Sequence, residues 1–357
     1  MDPRLEMLKD LTEVKGVPGF EYEVKEVIAR YLEGKAELDQ DNLGSIIAKK
    51  EGTSSGPRIM LPGHMDEIGF MVSFITEEGY LKFVPLGGWW DQVLLGHRVI
   101  VRTDNGDVPG VIGSKPPHIL APEDRNKVVE KKDMFIDVGA ADRKEAEEVF
   151  GIRVGDPIVP DSSFQVMKNE KYLMAKAWDN RIGCGIFIDV INNLQGVDHP
   201  NTVYGVGTVQ EEVGLRGART SASKIDPDVC IAVEVGIAGD MPGVREEDAP
   251  PKLGKGPILL VADASLVAHR GLRSLVIETA KSAGIPLQYA TLMGGGTDAG
   301  AVHLNKAGVP SVCLAVPTRY IHTHTGIIHR DDYDATVNLI TEVVKRLDAE
   351  TVAGLVR

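Results

Sequence analysis

Hydrophobic positions at the start of the chain recur at helical spacing. Leu5, Leu8 and Leu11 fall on one face of a helix predicted over residues 3–14, and the stretch GVPG from Gly16 to Gly19 ends it. A second helix is predicted from Glu21 to Leu32, with Val24, Val27, Ile28 and Leu32 on one side. Ser45–Lys49 and Arg58–Pro62 then read as a pair of strands. Between Ile68 and Ser163 the apolar segments are short and β-like (FMVSFI, YLKFV, HRVIVRT, GVIG, MFIDVG). Gly, Pro and Asp separate them and almost no helical pattern intervenes, which predicts a small β-barrel or sandwich. From Lys171 onward strands alternate with helices. YLMAKAWD precedes the helical NRIGCGIFIDVINNL, and TVYGVGTVQ precedes a helix starting at Leu215. VCIAVEVG, PLQYATLMG and SVCLAVPT are further strands, with helices over Leu272–Ser282 and near Ala335–Leu347. Such alternation predicts an α/β fold whose mostly parallel or mixed sheet is sandwiched by helices. The simplest organisation is one α/β domain, residues 1–67 plus 164–357, with a β domain inserted at residues 68–163.

Composition narrows the function. A chain of 357 residues favours two domains, and 43% hydrophobic, 25% charged and 5% aromatic residues suit a folded α/β enzyme. No apolar run is long enough to span a bilayer, so no membrane association is expected. The opening MDPRLEMLKDLTEV is charged and lacks the basic and apolar regions of a secretion signal, so a cytoplasmic location is expected. Cys184, Cys230 and Cys313 lie far apart in apolar contexts and read as buried thiols, without the paired spacing of a cysteine zinc site. A net charge of −13 argues against a nucleic-acid partner.

Polar residues fall where the strands end. Ligands and catalytic groups in open α/β sheets gather at the carboxyl ends of strands. Five strands here lead into His64-Met65-Asp66, Asp179, Glu211-Glu212, Glu234 and His322. Singly, each has an ordinary explanation: a capped turn for His64, a helix N-cap for Asp179, a solvated helix start for Glu211-Glu212. Glu234 does not, because an unpaired carboxylate ending so apolar a strand would be costly to bury. Together, two histidines and four carboxylates converging on one rim predict a metal site. Mixed His and carboxylate donors suit zinc, cobalt or manganese. One carboxylate can bridge two ions, and successive residues project differently, so Glu212 can ligate while Glu211 faces a metal-activated water as general base. Asp66 is placed to hydrogen-bond the second ring nitrogen of His64 and fix its tautomer. Position directly after Tyr320-Ile321 favours His322 as ligand over His324 or His329. The Gly294–Asp298 loop lacks a P-loop lysine, and Trp89-Trp90 read as core or subunit-contact residues before a carbohydrate platform.

At these residues the chain resembles a known family. The blocks PGHMDEIGFMV, GGWWDQV, GVIGSKPPHIL, MFIDVGA, AKAWDNRIG, TVQEEVGLRGA, GGGTDAGA and RYIHTHTGIIHRDDY run almost end to end. They are similar to those of the tetrahedral aminopeptidases, also called glutamyl or deblocking aminopeptidases and sometimes endoglucanases. The resemblance implies a zinc-exopeptidase-like fold with an inserted PDZ-like domain. It implies two divalent metal ions per subunit, zinc or cobalt, and the removal of N-terminal residues from short peptides. It assigns Asp179 as the bridge, His64 and Glu212 to one ion, Glu234 and His322 to the other, and Glu211 as the base that later protonates the leaving amine. It further implies a homo-oligomer: dimers formed through the inserted domain, assembling into a tetrahedral dodecamer. The family usually carries Asp at the position of Glu234. A related dinuclear carboxypeptidase or deacylase is the alternative reading.

Overall fold

The computed structural model describes residues 2–53 and 56–356. Helices α1 (Pro3–Glu13) and α2 (Tyr22–Leu32) precede strands β1 (Glu37–Gln40), β2 (Ile46–Lys50) and β3 (Arg58–His64). Six strands follow: β4 (Gly69–Ile75), β5 (Leu81–Leu86), β6 (Arg98–Thr103), β7 (Gly106–Gly113), β8 (Phe135–Asp137) and β9 (Pro157–Pro160). The chain continues through β10 (Gln165–Val166), β11 (Tyr172–Ala175), α3 (Trp178–Asn193), β12 (Thr202–Thr208), α4 (Arg216–Ile225), β13 (Val229–Ile237) and β14 (Ile258–Asp263). It ends with α5 (Arg270–Ala283), β15 (Gln288–Leu292), α6 (Asp298–Val302), β16 (Ser311–Arg319), β17 (Gly326–His329), α7 (Arg330–Lys345) and α8 (Ala349–Gly354).

Strands β4 to β9 close on themselves as an antiparallel barrel in the order β4-β5-β8-β7-β6-β9. Phe70, Val72, Leu81, Val99, Val101, Ile136 and Ile158 fill it. Closure leaves no open sheet edge within this unit. The other eleven strands form one mixed sheet, with β1-β2-β12-β3-β13-β16-β17-β11-β10 in line and β14-β15 branching from β16. The α/β class with an inserted barrel is therefore as expected, and the sheet is mixed. The four central strands β12, β3, β13 and β16 are mutually parallel, the other pairs in line are antiparallel, and in the branch β14 is antiparallel to β16 but parallel to β15. One expectation is corrected: the second and third strands do not pair with each other. Strand β12, from much further along the chain, lies between them, pairing Thr202 with Arg58 and Val203 with Lys50.

Alternation along the central strands explains why both faces are covered. Ile59, Leu61, Ile231 and Val233 face the helix layer of α1, α2, α3, α5 and α7, whereas Met60, Val206 and Cys230 face α4 and α6. A strand apolar on both sides must be sandwiched. The layers meet closely at one place. A Cβ on Gly63 would lie 2.7 Å from the Gly183 carbonyl carbon, so α3 sits backbone-to-backbone on β3. That contact brings the first turn of α3 to the carboxyl edge of the sheet. Strand β11 runs with the central four, because it is antiparallel to β17 and β17 is antiparallel to β16. All five strands that lead into candidate ligands thus point to one edge. All three cysteines are free and buried. Among the described residues no helix is long and apolar enough to cross a membrane.

Candidate active site

The carboxyl edge of the sheet gathers His64, Asp179, Glu211, Glu212, Glu234 and His322. His64 closes β3, Glu234 lies within β13, and the other four occupy connections just past their strands or, for Asp179, the first turn of α3. The backbone here is unusually bent. Of the seven non-glycine residues with positive φ among the described residues, five adjoin the site: Ala177, Gln210, Leu215, Tyr320 and His322 itself. Such conformations cost about 1–3 kcal/mol each and persist only where surrounding contacts impose them. At Gln210 and the two residues after it, carboxylates supply contacts of this kind. Glu21 accepts the Gln210 amide at 2.9 Å, and the two oxygens of Asp66 accept the amides of Glu211 and Glu212, each at 3.0 Å. Three successive peptide groups are held so that Glu211 and Glu212 both turn inward.

The two histidines are prepared in the same way. His64 Nδ1 lies 2.8 Å from the main-chain oxygen of Asp66, and His322 Nδ1 lies 2.7 Å from that of Gly88. A carbonyl oxygen only accepts, so each Nδ1 carries a proton and each Nε2 is the atom left to face inward, an N–H donor to Asp179 while the ring is protonated and a lone pair for a metal once it is not. Gly88 belongs to the connection after barrel strand β5, so the inserted domain orients His322. Gly87 is equally close to the site, since a Cβ there would come within 3.1 Å of Glu212 Oε2. The two Nε2 atoms share Asp179: Oδ1 is 3.0 Å from His64 and Oδ2 is 3.3 Å from His322. Glu211 Oε2 and Glu234 Oε1 lie 3.7 and 3.9 Å from His64 Nε2, and Glu212 Oε1 lies 3.3 Å from His322 Nε2.

Burial and crowding of like charge dominate the electrostatics. Desolvation, then the neighbouring carboxylates, push Glu211 and Glu234 well above the usual carboxylate range. Glu212 rises for the same first reason, partly offset by His322. Burial alone would lower both histidines, but the carboxylates outweigh it: His64 is lifted well above its ordinary value and His322 to about 11. Asp179 goes the other way, because hydrogen bonds from both histidines overcome its burial. Asp298 lies behind the cluster, donated to by Thr208 at 2.5 Å and raised to about 6 by burial.

Do these residues fit metal ions? Three observations say that they do. Both imidazoles are fixed in the tautomer that offers Nε2. The fully buried Glu212 Oε1 makes no well-formed hydrogen bond, and an acidic cluster this deep costs several kcal/mol per unpaired charge unless cations balance it. The donor atoms also converge, with sets His64–Asp179–Glu234, Asp179–Glu212–His322 and His64–Glu211–Glu212 each lying within 4.8 Å of one another.

These sets alter one expectation. Glu234 falls with His64 and not with His322, and Glu212 falls with His322 in one set and with His64, as expected, in another. The Asp66 side chain is 3.6 Å from His64 Nδ1, beyond hydrogen-bond range; the Asp66 main-chain oxygen makes that bond, and the carboxylate grips residues 211 and 212 instead. His324 lies apart from the cluster, buried against His97 and Trp89, and His329 caps α7. Trp89 is core, donating to the Gly69 carbonyl, whereas Trp90 is 61% exposed. Sequence reasoning missed the support beneath the site: Glu21, and the buried Glu67 that pairs with Lys176 at 2.6 Å and Arg181 at 3.3 Å. Arg181 also donates to the main-chain oxygens of Leu11, Val14, Met65 and Gly16, tying the segments that carry His64 and Asp179. Adjacency was the available signal, as Glu67 follows HisMetAsp and Arg181 follows AspAsn.

The cluster floors a cavity of about 770 Å³. Its further wall comes from the end of β13, the loop around Met241, the residues after β16 and the Gly294–Thr297 loop, which is thereby placed beside the site.

Comparison with known proteins adds an independent line. Residues 44–339 match the M42 glutamyl aminopeptidase family, and residues 2–28 match a family described as AMPT. The chain is 37% identical to a glutamyl aminopeptidase of Lactococcus lactis, covering 98% of each chain. It is 34% identical to a lysyl aminopeptidase of Pyrococcus furiosus, covering 96% of this chain and 97% of that one. Among solved structures it superimposes on a TET aminopeptidase from a marine sediment Thaumarchaeota archaeon with a TM-score of 0.97, at 52% identity and 99% coverage of both chains. The TET1 peptidase of Pyrococcus horikoshii, which can assemble into a tetrahedron or a large octahedral shell, matches with a TM-score of 0.86 at 34% identity, covering 96% of this chain and all of that one.

Proposed function

The chain belongs to the M42 glutamyl aminopeptidase family and is a peptidase, and from that premise we propose that it is a dinuclear metal-dependent aminopeptidase acting on short peptides. The observation that carries this reading is Asp179, whose two carboxylate oxygens each face the Nε2 of a different histidine. His64 and Glu234 would hold one divalent ion and Glu212 and His322 the other, with Asp179 shared. Zinc or cobalt suits this donor set. Two such ions also balance the four carboxylates Asp179, Glu211, Glu212 and Glu234. When bound, the ions lower the pKa of water toward neutrality and polarise a carbonyl oxygen. Glu211 does the proton work. It lines the cavity with Oε2 3.7 Å from His64 Nε2, where it would take the proton of the attacking water and return it to the departing amine. Asp66 keeps Glu211 and Glu212 aimed inward through their amides. The family and both relatives are named for aminopeptidase activity, which leaves the carboxypeptidase and deacylase alternative without support.

We also propose that the chain functions as a homo-oligomer, with the domain of residues 68–163 providing contacts and the dodecameric shell as the form. Trp90, Ile119 and Val128 stand exposed on that unit, which supports a partner surface there.

The test is release of chromophore from a panel of aminoacyl-anilides, with and without a chelator. Chelation abolishes release and added zinc or cobalt restores it. Glu211→Gln lowers kcat by roughly 10²- to 10⁴-fold while metal content is unchanged. Metal loss in that variant would make Glu211 a ligand, and chelator-insensitive release would end the metal reading.

A further inference from the structure

The relatives are named for N-terminal residues of opposite charge, glutamyl and lysyl, so kinship does not fix what this cavity accepts. Its walls do. Every charged side chain lining it belongs to the His and carboxylate cluster: His64, Asp179, Glu211, Glu212, Glu234 and His322. Away from that cluster the wall is mostly apolar (Leu215, Val235, Ile237, Met241, Leu292 and Ile321), with Thr297, Thr318 and Tyr320 as its uncharged polar side chains. Among the described residues no lysine or arginine lines it to meet a glutamyl carboxylate, and no further acid lines it to meet a lysyl ammonium. Arg319, next along the chain from the wall, is outside the lining and committed to Asp240 at 2.6 Å. The two threonines on the wall have also spent their protons. Thr318 Oγ1 donates to the Val316 carbonyl at 3.0 Å, and Thr297 Oγ1 donates to Asp263 at 2.9 Å.

A side chain entering such a space gains by burying apolar surface and loses by carrying a charge out of water without a partner. A pocket that lacks a complementary charge also cannot orient a charged side chain. We propose that this chain removes uncharged, apolar N-terminal residues of the leucine and methionine class, and that Ile237 is a specificity-determining residue. Ile237 ends β13 three residues after Glu234 and is 48% exposed, with its side chain available to the cavity. The inference rests on the aminopeptidase reading above, because it takes the cluster as the place where the terminal peptide bond is cut.

The experiment measures kcat/KM for Leu-, Met-, Glu- and Lys-anilides with the metal-loaded enzyme. Leu and Met are expected to exceed Glu and Lys by at least about tenfold. Ile237→Asp, at a half-exposed position where folding is little affected, is expected to raise the Lys-to-Leu ratio at least about tenfold by supplying the missing acid. Wild-type preference for Glu or Lys would overturn the proposal, showing that another loop or subunit brings a charge to the pocket. An unchanged ratio in a folded Ile237→Asp enzyme would remove Ile237 from the specificity wall. Absence of metal-dependent release from all four anilides would count against the aminopeptidase reading itself, so the two failures are distinguishable.

Discussion

His64 and His322 each spend Nδ1 on a backbone carbonyl and turn Nε2 to a crowd of carboxylates. Without metal, that crowd keeps both rings protonated, since their pKa values are raised, His322 to about 11. A metal ion requires the unprotonated Nε2, so binding expels protons. The sign follows: below the raised pKa a proton competes with the metal, so affinity falls as pH falls. Between about pH 9 and about pH 6, affinity is expected to drop roughly tenfold per pH unit for each proton displaced. Calorimetry in buffers of different ionisation enthalpy checks this, and a pH-independent affinity with no proton release would contradict it. The convergence of these side chains on one edge was legible in the sequence because each follows a strand. How they divide was not. Glu234 lies beside His64 on β13, which neighbours both β3 and β16, and strand order is written nowhere in local pattern.

Secondary elements show the same divide. Amphipathic α1 and α2, the apolar central strands and the barrel texture were all readable from period and punctuation. Strands β1, β9, β10, β14 and β17 were not, since they are short or border irregular loops, and the insertion of β12 between β2 and β3 depends on pairings such as Thr202 with Arg58 and Val203 with Lys50, far apart in sequence. The contact of α3 with the sheet was equally hidden, because it consists of an absence of side chains. A Cβ on Gly183 would lie 2.6 Å from the Val233 carbonyl oxygen and from Asn180 Oδ1. Backbone cannot yield there as a flexible side chain would. Gly183→Ala is therefore expected to lift the first turn of α3 and carry Asp179 away from His64 and Glu234. Metal affinity should fall by about 10- to 100-fold, with stability reduced by about 1–3 kcal/mol. Titration of bound metal alongside denaturant unfolding checks both, and wild-type affinity would show that Asp179 does not depend on this packing.

At the scale of the whole molecule, the inserted barrel reaches into the site through the Gly88 carbonyl on His322. Lys131 ties that connection down, donating to the Trp89 carbonyl at 2.9 Å and pairing with Asp91. Residues 117–133 also carry Ile119 and Val128, the exposed apolar positions assigned above to a partner surface. Assembly and metal retention are thus expected to be linked. Ile119→Asp should shift native mass spectra from the assembled particle toward smaller species, with the His322-side ion held less tightly. An assembly that survives this change and its counterpart at Trp90 would place the contacts elsewhere. The measurement that bears most directly on the central claim is anomalous diffraction from metal-soaked crystals at the zinc or cobalt edge. Two peaks are predicted, one bounded by His64 and Glu234 and one by Glu212 and His322, with Asp179 touching both. A single peak, or none within reach of Asp179, would contradict the account.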